Sequence, residues 1–120
     1  MLAARLLAGL AGLDLALPVV PAWAEPAWHL FVVRHPARER LAGRLAELGI
    51  ETLVHYPVPP HRQEAYAATQ LAKLSLPVSE RLHREVLSVP LHPGMTDEDA
   101  DRVIKAFRAA LANAEAVASG

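Results

Sequence analysis

The chain has no cysteine, which excludes disulfides and thiolate metal sites. Lysine is scarce: two lysines stand against ten arginines. Covalent imine chemistry needs a lysine, and neither has a promising setting. Lys73 falls in a polar connection and Lys105 on the polar side of the last helix, so both read as solvated surface charges. The six glycines are scattered singly, so there is no glycine-rich phosphate loop. Net charge is −1 with no basic run, so no nucleic-acid partner is expected. No apolar run reaches the roughly 18 residues of a membrane-spanning helix, so no membrane partner is expected either.

What is present is a helix-rich composition. Hydrophobic residues make up 52% of the 120 residues, mostly alanine and leucine, with only 5% aromatic. That suits one soluble domain with a modest core. The first 25 residues imitate a secretory leader: Arg5, an apolar stretch from Leu6, then Ala22-Trp23-Ala24 as a cleavage-like site. Asp14 interrupts the apolar stretch, and Pro18 and Pro21 follow.

Residues 2–12 favour a helix that Gly12 can end. Residues 13–27 carry three prolines and read as an extended connection. His29 to Arg34 is a strand by its β-branched and aromatic content. Pro36 opens a helix whose buried face is Leu41, Leu45 and Leu48, and Gly49 closes it in a left-handed conformation. Ile50 to His55 is a second strand candidate, ended by Pro57, Pro59 and Pro60. Residues 61–76 are irregular with room for one helical turn. Pro77 to Ser88 reads as a helix with Ser79 as cap and Val78, Leu82 and Val86 as its apolar stripe. Val89 to Leu91 is short and extended. Thr96 caps the last helix, Asp99 lies three residues on, and Ala100, Val103, Ile104, Phe107 and Leu111 form the core stripe. The tail from residue 113 to 120 is expected to fray. This order predicts an α+β fold: a small, mainly antiparallel sheet with helices packed on one face.

The densest polar segment is His55-Tyr56-Pro57-Val58-Pro59-Pro60-His61-Arg62-Gln63. Prolines reduce the entropy lost in holding such groups, and loops at element ends commonly carry binding groups. A rigid turn with solvated histidines fits the same residues. The six histidines lack metal-ligand spacing, so no metal is expected. No Gly-x-Ser-x-Gly occurs; Ser79 reads as a cap and Ser88 as a helix-end residue.

Five segments in order carry a resemblance. Trp28 to Arg34 is similar to an "HLFVVR" strand, and Arg40 to Ile50 to a helix ending in a Gly-Ile step. His55 to His61 resembles an "HYP-x-P-x-H" loop. Pro77 to Pro90 resembles a "P-x-x-E-x-L-x-x-E-x-L-S-L-P" helix, and Thr96 to Ile104 a terminal helix start. Residues 5–28 fit the helix and proline-rich lead-in before the strand. Together they resemble the C-terminal part of the DegT/DnrJ/EryC1/StrS sugar aminotransferases. The resemblance implies a connecting helix and lead-in over 1–27 and a fold-type I C-terminal small domain over 28–112. It also implies a cytoplasmic location, and pyridoxal phosphate as the cofactor moving an amino group to a keto sugar on a nucleotide. In that family the cofactor lysine and the phosphate-binding residues belong to a large domain with no counterpart here. The expectation is therefore no catalytic, cofactor-binding or metal-binding residue in this chain, no cofactor bound by it alone, and no activity alone. Its expected partners are the nucleotide-sugar substrate of the complete enzyme and an aminotransferase large domain or a second copy. An interaction or dimerisation module derived from the same domain is the alternative. The resemblance places His55, Tyr56, His61 and Arg62 on the substrate side of a cleft. There His61 can bond a sugar or phosphate oxygen, Tyr56 can stack or donate a hydrogen bond, and Arg62 can meet a diphosphate. Pro60 departs from the apolar residue usual before that histidine.

Overall fold

The structure is a computed structural model that describes the backbone of residues 1–118 and the side chains of residues 1–112. Its elements are α1 (Leu2–Leu10), β1 (Phe31–Arg34), α2 (Arg38–Glu47), α3 (Pro77–Glu85), β2 (Val86–Val89) and α4 (Asp97–Ala118). Three 3-10 turns, Pro60–Arg62, Glu64–Tyr66 and Gln70–Lys73, fill the interval between α2 and α3. The fold is α+β as expected, with a small antiparallel sheet.

The last helix organises the core. Ala100, Val103, Ile104, Phe107 and Leu111 are all buried, as their helical spacing predicts, and Ala106 and Ala110 join them. Thr96 and Asp99 form the expected cap. The Asp99 amide donates to Thr96 Oγ1 at 3.2 Å, and the Thr96 amide donates to Asp99 Oδ2 at 2.9 Å. The Thr96 amide, and the Thr96 hydroxyl donating to the same oxygen at 3.1 Å, hold the Asp99 carboxyl below its ordinary range.

α1 packs along α4, with Leu6 and Leu10 fully buried between them. The apolar first part of the leader-like segment is thus built into the core, while Trp23 in its cleavage-like end is exposed. Arg5 clamps its outer side, donating to Asp101 Oδ1 at 2.7 Å and Oδ2 at 2.8 Å. That two-point contact raises the Arg5 pKa and lowers that of Asp101. Gly9 is required by the close approach of the helices. A Cβ there would lie 2.3 Å from Ile104 Cδ1 and 2.8 Å from its Cγ1.

β1 and β2 pair with Phe31 opposite Val89 and Val33 opposite Leu87, all four buried. One bridge extends the sheet on each side: Ala16 joins Arg34, and Leu53 joins Ser88. The strand expected over Ile50 to His55 is therefore only a bridge. In the Leu53–Ser88 register the next bonded pair would put Glu51 opposite Pro90, which has no N–H to donate. The strand expected from His29 begins at Phe31, and the helix expected from Pro36 begins at Arg38.

The helix expected through Ser88 stops at Glu85, and Val86–Val89 becomes β2. Pairing with β1 buries Leu87 and Val89, overriding local helical propensity. The carbonyls this break frees are taken up: His35 N donates to Glu85 O at 3.0 Å, and the buried Arg38 donates to His83 O. Ser79 is not the cap of α3. Leu76 takes that position, and its amide donates to Glu80 Oε1 at 3.3 Å. The expected buried stripe of α3 is not buried either: Val78 is 72% and Leu82 38% exposed. Leu48, the residue that caps the C-terminus of α2, is likewise exposed, while Leu41 and Leu45 are buried. Gly12 and Gly49 both have φ of 81°, the left-handed conformation expected of them. Of the tail expected to fray, the backbone of α4 continues to Ala118 and residues 119–120 lie outside the described residues.

The Gly9–Ile104 contact yields a quantitative expectation. Gly9→Ala adds about 1 kcal/mol of helix propensity but overpacks the contact at a cost of about 1–3 kcal/mol. Net destabilisation is expected in urea titration. Combined with Ile104→Ala, the two changes should fall short of additivity by at least about 1 kcal/mol. Additive effects would reject the contact.

Candidate functional site

The loop after Leu53 leaves the sheet edge through His55 and Tyr56, whose rings meet edge to face with centroids 5.4 Å apart. His55 Nδ1 shares a 2.8 Å hydrogen bond with the hydroxyl of Ser88, buried in β2. Tyr56 is 65% exposed, and its carbonyl accepts from His83 Nδ1 on α3. His83 must therefore carry its proton on Nδ1. A cleft of about 710 Å³ opens beside His55, with Leu53, Ser88, Leu91 and His92 among its walls.

The far end of the loop is held differently. His61 is 3% exposed, and its Nε2–H donates to Glu80 Oε1 at 2.8 Å. Arg62 Nη2 donates to the same oxygen at 3.1 Å, and its Nη1 donates to Ala72 O at 3.1 Å. With the Leu76 amide, one carboxylate oxygen accepts three donors. His61, the Leu76 amide and Arg62, in that order of weight, hold the Glu80 carboxyl down at about 2.

The four residues singled out from the sequence are thus brought onto one loop in two roles. His55 and Tyr56 stand at the cleft and the surface. His61 is buried against α3, and Arg62, still about half exposed, is engaged by Glu80 and Ala72. Glu80, His83 and Ser88 escaped the sequence reading. Ser88 read as the end of a helix, yet it lies in β2. Glu80 and His83 carried a usable signal: spaced by three, they share one side of α3, opposite its apolar positions.

The molecule's resemblance to known proteins follows the same segments. The DegT/DnrJ/EryC1/StrS aminotransferase family model matches residues 1–108. The chain belongs to this family. It is 48% identical over 90 residues to the dTDP-3-amino-3,6-dideoxy-alpha-D-galactopyranose transaminase of Aneurinibacillus thermoaerophilus, covering 75% of this chain and 24% of that protein. It is 47% identical over 108 residues to the dTDP-3-amino-3,4,6-trideoxy-alpha-D-glucose transaminase of Streptomyces venezuelae, covering 89% of this chain and 28% of that one. Among solved structures, S. venezuelae DesV in complex with a ketimine intermediate superposes with a TM-score of 0.85 at 47% identity, over 90% of this chain and 29% of that one. The Bacillus subtilis protein ntda, with bound cofactor PMP, superposes with a TM-score of 0.82 at 30% identity, over 92% of this chain and 27% of that one. The chain therefore spans about a quarter of the length of the curated relatives it matches.

The described residues do not fit a pyridoxal phosphate site. Lys73 lies on a 3-10 turn and Lys105 on the outer face of α4, both exposed, whereas an imine-forming lysine is activated by an apolar pocket or a cationic neighbour. Among the described residues, no cluster of three or more His, Cys, Asp or Glu could hold a metal ion, and no helix is long and apolar enough to cross a membrane.

The Glu80 contacts have a definite acid signature. A carboxyl lowered from 4.5 to about 2 on folding stabilises the loop fully above pH 4.5, and that contribution is lost as pH falls towards 2. In Glu80→Gln it is missing at every pH. The stability difference between the two proteins, read by thermal melts, should be largest at neutral pH and close as pH approaches 2. A difference independent of pH would contradict the assignment.

Proposed function

We propose that this chain is the C-terminal small domain of a pyridoxal phosphate-dependent nucleotide-sugar aminotransferase of the cytoplasm. It supplies part of the substrate wall and is inactive alone. The observation that carries this reading is the loop at the sheet edge. Bonds from β2 and α3 present His55 at a cleft and Tyr56 on the adjoining surface, while neither lysine lies in a setting that could hold a cofactor aldehyde.

When bound in the complete enzyme, the cofactor supplies the electron sink for amino transfer. The residues here contribute binding and orientation. The Tyr56 ring can stack on a base or sugar, and its hydroxyl can donate a hydrogen bond. The exposed part of the Arg62 guanidinium can meet a diphosphate. His61, already bonded to Glu80, shapes the loop beneath them. The dTDP-linked amino sugars named for the relatives point to a nucleotide-bound sugar as the substrate class.

A second reading has its own support. Leu71, Leu74, Leu76, Val78 and Leu82 are each at least 38% exposed, an apolar surface suited to a partner. An interaction or dimerisation module derived from this domain would use it, and in the first reading the large domain would cover it.

The first of two measurements tests the lack of a cofactor lysine, and the second separates these readings. Mixed with pyridoxal phosphate and borohydride, the chain alone should yield no stoichiometric adduct at Lys73 or Lys105 by mass spectrometry. Supplied with the separately expressed remainder of the S. venezuelae transaminase, it should restore amino transfer to a dTDP-keto sugar. In that complex Tyr56→Ala should raise KM by about tenfold, or about 1.4 kcal/mol. Self-association without complementation would favour the second reading.

A further inference from the structure

The segment from His55 to Leu76 is outside the hydrophobic core. Its backbone hydrogen bonds between residues 59 and 74 all close local turns, each donor meeting the carbonyl three residues before it. Prolines restrict φ here but cannot attach the segment to the rest of the fold. Attachment falls to side chains. Ser88 holds His55, and His83 holds the Tyr56 carbonyl, both at the near end. At the far end Glu80 reaches across from α3 to His61 and Arg62.

We propose that Glu80 is a positioning residue for the substrate wall: by gathering His61, Arg62 and the Leu76 amide on one carboxylate oxygen, it fixes the turn from which Tyr56 is presented. This rests on the reading of the loop as a substrate wall. The geometry favours a local role over general stabilisation. All of Glu80's side-chain partners lie between residues 61 and 76, and none of them is a core residue. The buried ring of His61 gives the carboxylate a fixed target. Removing the carboxylate leaves that ring nitrogen without its acceptor, which costs more than the bond itself.

The test compares Glu80→Ala and Glu80→Gln, the latter keeping an acceptor oxygen at the same reach. Amide exchange measured by NMR on the full chain should accelerate by about tenfold or more in residues 59–76 of Glu80→Ala. Exchange in α1 and α4 should accelerate much less than in the loop, and Glu80→Gln should recover part of the protection. In the complemented enzyme, Glu80→Ala should raise KM for the dTDP-keto sugar by about tenfold with kcat little changed, the mark of lost ground-state binding. Unchanged loop exchange, or equal acceleration in the core helices, overturns the role of Glu80 whatever the loop does. Accelerated loop exchange without a KM effect, where Tyr56→Ala does raise KM, overturns positioning. If neither variant moves KM, the reading of the loop as a wall fails, and the proposal with it.

Discussion

The burial of one face of α4 is the constraint on which the other elements depend. Phe107 is completely enclosed, and the alanines at 100, 106 and 110 are buried with it. α1 and α2 both pack on α4, and the buried residues of the sheet join the same core. The small residues matter as much as the large ones. Gly9 exists to admit Ile104, and the α1–α4 approach that results brings Arg5 onto Asp101. A surface ion pair of this kind adds little by itself; here it records a helix alignment already set by packing.

The candidate site depends on a different event, the break between α3 and β2. Had the helix run on to Ser88, that serine would have no fixed relation to His55. Because the chain turns extended at Val86, Ser88 enters the sheet beside Leu53 and reaches the His55 ring. The break frees carbonyls at the end of α3, and the buried Arg38 takes up that of His83. α3 is thereby fixed at its C-terminal end while its polar side holds the loop through His83 and Glu80. One helix thus links the core to the residues that face outward.

The apolar side of that same helix is uncovered, and this fits a chain spanning about a quarter of its relatives' length. Val78 and Leu82 have the spacing of a buried stripe, and periodicity reported it faithfully. What periodicity cannot report is which body does the covering. Among the described residues Val78 is left 72% exposed, so the pattern marks an apolar surface rather than part of this core.

The amino-acid sequence by itself determined the elements whose signals are local. The α4 stripe, its Thr96–Asp99 cap and the left-handed glycines at 12 and 49 follow from side-chain period and backbone sterics, which act over a few residues. The gathering of histidines, tyrosine and arginine on a proline-stiffened loop was equally legible. Only the tertiary structure decided that 50–55 makes a single bridge, that Val86 to Val89 is a strand, and that His61 turns inward to Glu80 while Tyr56 stays outside. Each of those outcomes rests on a partner distant in sequence: Ser88 opposite Leu53, β1 opposite β2, and a carboxylate 19 residues beyond the histidine it holds. Local propensity differences of about 1 kcal/mol or less are readily outweighed by pairing and burial of that kind.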